Sequence, residues 1–219
     1  MANSEKDHRD HSFPKVDPSK SVFINCPFDE DYEQIFDAII FSTICCGYIP
    51  RSTLETGNAS ESRFDRILNS LFSSKYSIHD LSRCKGEGDF LLARFNMPLE
   101  LGMAMGLRSL CGKIPSEHGY PTDHEWLVLV PEGHLYSRFI SDLAGFDPAK
   151  YDGSPEMAVK KVMSWLITRC NAGPTPRPSK VLTAFQLFKE EKYRLRDEWG
   201  KEVPWLKLLE AARDTVPSP

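Results

Sequence analysis

SVFINCPFDEDYEQIFDAIIFSTICC, residues 21–46, reads as a strand, a turn and a helix in succession. Its first six residues are a short apolar run that stops at Pro27, the pattern of a buried strand. Ile35, Phe36, Ile39, Ile40, Thr43 and Ile44 then recur at helical spacing over residues 32–46. The same alternation continues along the chain. GYIPRSTLE (47–55) is a second strand, residues 60–73 form a helix with Phe64, Ile67, Leu68 and Leu71 on one face, and YSIHDLS (76–82) is a third strand. The loop RCKGEGDF (83–90) leads into a helix spanning ARFNMPLELGMAMG (93–106), followed by the strongly apolar strand EWLVLV (125–130). LYSRFISDLAG (135–145) reads as a helix, AKYD (149–152) as a short edge strand, and residues 154–170 as an amphipathic helix capped by Ser154. Short strands separated by amphipathic helices predict an α/β fold: a flavodoxin-like, doubly wound, mostly parallel five-stranded sheet covered on both faces.

A chain of 219 residues with 41% hydrophobic content suits one main core with an appendage. The formal charge of −4 supplies no general attraction for nucleic acid or an anionic membrane, so neither is expected as a partner. Residues 1–20 are polar and read as a flexible arm, in which a shared metal site of His8 and His11 is the minor reading. No apolar leader and no run of about 18 apolar residues is present, which points to a cytoplasmic protein. None of the six cysteines forms a C-x-x-C pair, so reduced, mostly buried thiols are expected. The histidine spacings match no metal motif and KGEGD lacks the Walker order, so no metal and no bound cofactor are predicted. Prolines and a glycine in NAGPTPRPSK mark a linker at residues 173–180, closing a main domain at 21–172. Beyond it, residues 181–199 and 204–214 read as two helices of a C-terminal segment (181–219). Leu182, Phe185, Phe188, Leu195, Trp199, Trp205 and Leu209 are available there to pack, or to meet a second copy or a partner protein.

Ligands of an open parallel sheet sit beyond the carboxyl ends of its strands. Those ends deliver Asn25, Cys26, Pro27, Phe28 and Asp29 from the first strand, Arg51 and Glu55 from the second, and His79, Asp80 and Ser82 from the third. The following helix brings Asn96 and Glu100. Carboxylates, an arginine and an aromatic ring in one cleft suit a sugar or nucleotide. Glu100 shares its helical face with Asn96, Met97, Met103, Ala104 and Leu107, a setting that partly desolvates a carboxylate and raises its pKa. Proximity to the helix N-terminus favours the charged form. Asn96 is a natural N-cap, Pro98 is tolerated in the first turn, and Gly102 and Gly106 are expected to let the helix approach the sheet or a ligand closely. From the residues alone Glu100 is either a structural carboxylate paired with an arginine or a catalytic one. Arg51 equally suits a pair with Glu55 or Asp80, Asp80 a turn or cap, Phe28 the core, and Cys26 a small buried hydrophobe. His79 is expected to point to the opposite face of its strand from Asp80.

The succession VFINCPFDEDYEQIF, YSIHDLS and ARFNMPLELGMAMGL resembles the superfamily joining nucleoside 2-deoxyribosyltransferases, nucleotide N-glycosidases and TIR domains, including TIR-like proteins of antiphage defence. The likeness covers residues 21–170. It implies that Glu100, in the N-x-x-x-E-L-G segment, is the catalytic carboxylate at C1′ of an N-glycoside. It implies that Asp80 and Asn96, with Ser82 nearby, orient ribose hydroxyls, that Phe28 and Asp29 meet the base or nicotinamide, and that Arg51 meets a phosphate. NAD or a related nucleotide is then substrate rather than cofactor. A nucleotide-sensing adaptor and a deoxyribosyltransferase are the alternative readings. The loop before Asn96 is longer and more charged than in compact transferases, and the tryptophan–cysteine pair found before the glutamate in many animal-type TIR enzymes is absent.

Overall fold

In the computed structural model the strands β1 (Ser21–Asn25), β2 (Ile49–Arg51), β3 (Tyr76–Asp80), β4 (Glu125–Pro131) and β5 (Ala149–Tyr151) stand in the order β2-β1-β3-β4-β5. The structure describes residues 17–55, 62–83, 95–110, 123–133, 136–138 and 140–219. Every neighbouring pair of strands is parallel, so the sheet expected to be mostly parallel is wholly so. The chain leaves β1 through helix α1 (Glu33–Cys45) for the β2 edge, then crosses back through α2 (Arg63–Phe72) to β3 on the other side of β1. From there α3 (Asn96–Leu110) leads to β4, and α4 (Pro155–Arg169) follows β5. Strand order therefore reverses between β1 and β3, the topological switch point at which such sheets open a crevice.

Strand parity sorts the core into two sides. Val22 and Ile24 of β1, Ile78 of β3, and Leu127 and Leu129 of β4 join α1 and α4 in one apolar cluster. Phe23 packs on the other face with Ile67 and Leu71 of α2 and Ala104 of α3. Val128 and Val130 join Met97 and Leu101 of α3 beside them. Strands buried on both faces need no polar alternation, which is why β1 and β4 read as continuous apolar runs.

The two C-terminal helices, α5 (Pro178–Trp199) and α6 (Trp205–Asp214), form a further layer against α1 and share its core. Phe188 stacks on Phe41 with ring centroids 5.3 Å apart, and Trp205 lies against Phe36 at 6.3 Å. Lys192 of α5 reaches both oxygens of the buried Asp37 of α1 at 2.6 Å and Glu33 at 3.0 Å. Pro178 starts α5 within the expected linker, as proline at a first helical position allows.

Other boundaries differ from expectation. An ordered turn precedes β1, with Asp17 accepting from the amide of Ser19, and Pro18 C=O accepting from Lys75. The segment read as one helix over 135–145 contains two 3-10 turns, Tyr136–Arg138 and Ser141–Gly145, separated at Ile140 by a non-helical backbone (φ −133°, ψ 82°). Cys26, Cys45, Cys46 and Cys170 are buried free thiols. Cys84, Cys111, His8, His11, His118, His134, KGEGD and the arm to residue 16 lie outside the described residues. Among the described residues no helix is long and apolar enough to cross a membrane.

Candidate active site

At the switch point lies a pocket of about 340 Å³, within the range of roughly 300–1,000 Å³ usual for small-molecule sites. Its floor comes from the end of β1, through Asn25, Cys26, Pro27 and Phe28, and its walls from Thr53, from Arg63 and Ile67 of α2, and from Asn96, Met97 and Glu100 of α3. Three of the residues expected to act together, Glu100, Asn96 and Phe28, thus meet in one cavity.

Glu100 is 7% exposed. Its neighbours Met97, Leu101 and Ala104 are buried in the packing of α3 against the sheet. Among the described residues no hydrogen bond or ion pair reaches its carboxylate. The fold does contain buried polar atoms without a partner, Ser82 Oγ for one, but the Glu100 oxygens are not of that kind: they open to the pocket. Burial pushes the Glu100 pKa up to about 7, and the charge of Arg63 pulls against that rise. A carboxyl so placed is partly ionised at neutral pH, available both as a nucleophile and as an electrostatic partner for a developing cation.

Among the described residues Arg63 is the one cation that lines this pocket, and Arg51 does not line it. Arg51 is buried and its Nε donates to both oxygens of Glu55 at 2.8 Å, which satisfies the simpler of the two readings of that residue. Arg63 follows Ser62, whose hydroxyl caps α2 by accepting from the Asp65 amide. The side chain therefore projects from a helix N-terminus, where dipole and guanidinium act together on an anion. The sequence carried that signal as a serine cap before an arginine, at the start of the helix following the second strand.

Asp80 is placed differently from expectation. It is fully buried and faces the α1–α4 side of the sheet, in register with Leu129. There it accepts from Tyr151 Oη at 2.7 Å and from the Ser82 amide at 2.7 Å. Burial raises its pKa against those hydrogen bonds. Strand parity gives the reason: His79, not Asp80, shares the pocket face with Phe23, its ring edge-on to that phenyl at 6.5 Å. Ser82 is not among the pocket-lining residues, and Asp29 caps the turn before α1 through the Tyr32 amide and pairs with Arg83 at 2.7 Å.

Asn96 is the first residue of α3, and Phe95 C=O accepts from the Leu99 amide, so the helix starts without an Asn96 cap. The Asn96 side chain is left to face the pocket mouth. Phe28, which lines the pocket, is 43% exposed and packs edge-to-face with Phe36 at 5.3 Å. Cys26 lines the floor, but burial, with Asp80 and Glu100 nearby, holds its thiol well above the usual range, in keeping with a packing role. A Cβ at Gly102 or Gly106 would meet nothing within 4 Å among the described residues, so these glycines are not there for close packing against them.

Scans against family models, curated proteins and solved structures each return no match for this chain.

Proposed function

We propose that this chain is an N-glycosidase that cleaves the glycosidic bond of NAD or a related nucleotide, serving nucleotide signalling or antiphage defence in the cytoplasm. One observation carries the reading: Glu100 is a desolvated carboxyl, unpartnered among the described residues, open to a nucleoside-sized pocket at the switch point of the sheet.

The chemistry follows from the placement. An ionised Glu100 oxygen beneath C1′ stabilises the oxocarbenium-like state and bonds to C1′ as the C1′–N bond breaks. The bonding pair leaves on nicotinamide, which departs neutral. Water then attacks C1′ of the glycosyl ester, its proton passes to solvent, and the carboxylate is restored. A purine would need protonation to leave, and Glu100 is the one carboxyl lining the pocket among the described residues. A leaving group that already carries positive charge therefore suits the site best. Arg63 at the N-terminus of α2 meets a phosphate, Phe28 stacks on the base or nicotinamide, and Asn96 hydrogen-bonds at the mouth.

Purified protein, assayed at high concentration against NAD and a panel of nucleotides, tests this by chromatography. Release of nicotinamide by the wild type and its loss in Glu100→Gln is the expected result; equal release by both ends the role of Glu100. A sensor that binds without turnover would give calorimetric binding and background product. A deoxyribosyltransferase would exchange bases between deoxynucleosides; the burial of Asp80 away from the pocket ranks that reading lower. Assembly or a protein partner at the C-terminal helices would use Leu187, Tyr193, Trp199 and Leu206, which stay exposed.

A further inference from the structure

Asn25, at the pocket floor, is held in one orientation. Its Nδ2 lies 3.0 Å from Met97 C=O and 2.9 Å from His79 Nδ1. A backbone carbonyl only accepts, so the amide nitrogen must face Met97, and the assignment of N and O is dictated rather than chosen. With one hydrogen donated to Met97, the other goes to His79 Nδ1, which must then be unprotonated.

The constraint continues through the interior. His79 Nε2–H donates to Ser77 Oγ at 2.8 Å, the Ser77 hydroxyl donates to His124 Nε2 at 2.8 Å, and His124 Nδ1–H donates to Ser74 C=O at 3.0 Å. Each group in this buried chain has one consistent role, and the terminal carbonyl fixes the direction of all of them. Burial keeps both rings neutral, with pKa values lowered to about 3 for His79 and about 4 for His124.

Both Asn25 hydrogens are therefore spent inward. Asn25 is 4% exposed, and its Oδ1 has no partner among the described residues, yet it is not one of the sealed-off polar atoms. The oxygen opens to the pocket that Glu100 also lines. A fixed acceptor that cannot turn to offer a donor will bind a hydroxyl or N–H and reject a carbonyl or phosphate oxygen.

We propose that Asn25 is the sugar-reading residue of this site: its Oδ1, locked by His79 and Met97, accepts a hydrogen bond from a ribose hydroxyl and selects ribosyl over deoxyribosyl ligands. This rests on the nucleotide reading of the pocket and adds to it the last residue of β1. The Met97 bond also ties β1 to the first turn of α3.

Calorimetry tests it, on protein carrying Glu100→Gln throughout so that the ligand is not consumed, with NAD and with the 2′-deoxy and 3′-deoxy forms of its nicotinamide ribose, wild type and variant referring to position 25. The wild type should prefer NAD to at least one deoxy form by roughly tenfold, the worth of one hydrogen bond. Asn25→Ala should lose that preference while binding the deoxy form within about threefold of wild type. Equal loss for both ligands, or a wild type indifferent to the hydroxyls, overturns the assignment. Long-range ¹⁵N NMR of the histidines gives an independent readout. His79 should be protonated at Nε2 and His124 at Nδ1, both neutral at pH 6; the reverse tautomers or an imidazolium overturn the lock. Absence of all nucleotide binding removes the nucleotide reading and the sugar assignment with it, whereas NAD cleavage without hydroxyl preference removes only the role of Asn25.

Discussion

Two helical carboxylates, Asp37 of α1 and Glu100 of α3, lie on opposite faces of the sheet at nearly equal burial, 3% and 7% exposed. Asp37 meets Lys192 at 2.6 Å through both oxygens, inside a layer where α5 and α6 close over α1. Glu100 meets a cavity. Both have raised pKa values because burial penalises the charged form, but for Asp37 a cation opposes the rise at contact distance, and for Glu100 the opposing charge among the described residues is the exposed Arg63. The difference teaches what to look for in a buried carboxylate: desolvation is common to both, and the presence or absence of a contacting cation separates them.

The comparison breaks most visibly in activity. Glu100→Gln keeps the shape of the side chain and removes the carboxylate that the proposed cleavage requires, so under that proposal nicotinamide release should fall on the order of 10³-fold or more. An equivalent change at Asp37 should alter turnover little per folded molecule, provided turnover is normalised to folded protein by circular dichroism.

Stability should show the opposite order. Lys192→Met leaves Asp37 buried without its cation and should cost about 3–5 kcal/mol in urea unfolding. Adding Asp37→Asn should return most of that loss, since no unpaired charge then remains. A single variant as stable as the wild type would show that the α1–α5 ion pair is not needed.

At Glu100 the stability effect reverses sign. Its pKa is raised from 4.5 to about 7 in the fold, so the native state holds the proton more tightly than the unfolded chain. That contribution is complete below pH 4.5 and is lost as pH rises through 7; ionising the buried carboxyl costs up to about 3 kcal/mol at pH 8. Glu100→Gln should therefore stabilise the protein at pH 8, by about 1–3 kcal/mol, and change it little at pH 4.5. Thermal melts at the two pH values measure the difference. The smallest effect expected is at Gly102, exposed on α3, where an added Cβ meets nothing within 4 Å among the described residues and Gly102→Ala should add up to about 1 kcal/mol in the same melts.

Much of this architecture was legible in the sequence because the strands are buried on both faces and the helices amphipathic: 21–46 alone defines the first strand–helix unit, and its repetition implies the parallel sheet. Glu100 was legible for a related reason, a lone charge among methionines and leucines. What was not legible were pairings made across the fold. Arg51 and Glu55 were recognisable as a pair four residues apart, but nothing local says that Asp80 turns toward Tyr151, 71 positions later. Alternation along the third strand separates His79 from Asp80 but does not say which of the two faces the crevice; packing against Phe23 turns His79 toward it and Asp80 away. That Arg63 and Asn25 line the pocket is not written locally, because it depends on which helices flank the switch point, a property of strand order rather than of any short segment. The C-terminal helices read as an appendage because the proline-rich linker is local, whereas their anchors, Phe41 and Asp37, lie in α1.

The most direct measurement is a ¹³C NMR titration of the glutamate side-chain carboxyls, with the Glu100 signal identified by its absence in Glu100→Gln. A midpoint near 7 that shifts when NAD is added is the predicted result. A midpoint in the ordinary carboxylate range, unmoved by nucleotide, would mean that Glu100 is solvated or paired like any surface glutamate, and would contradict the account.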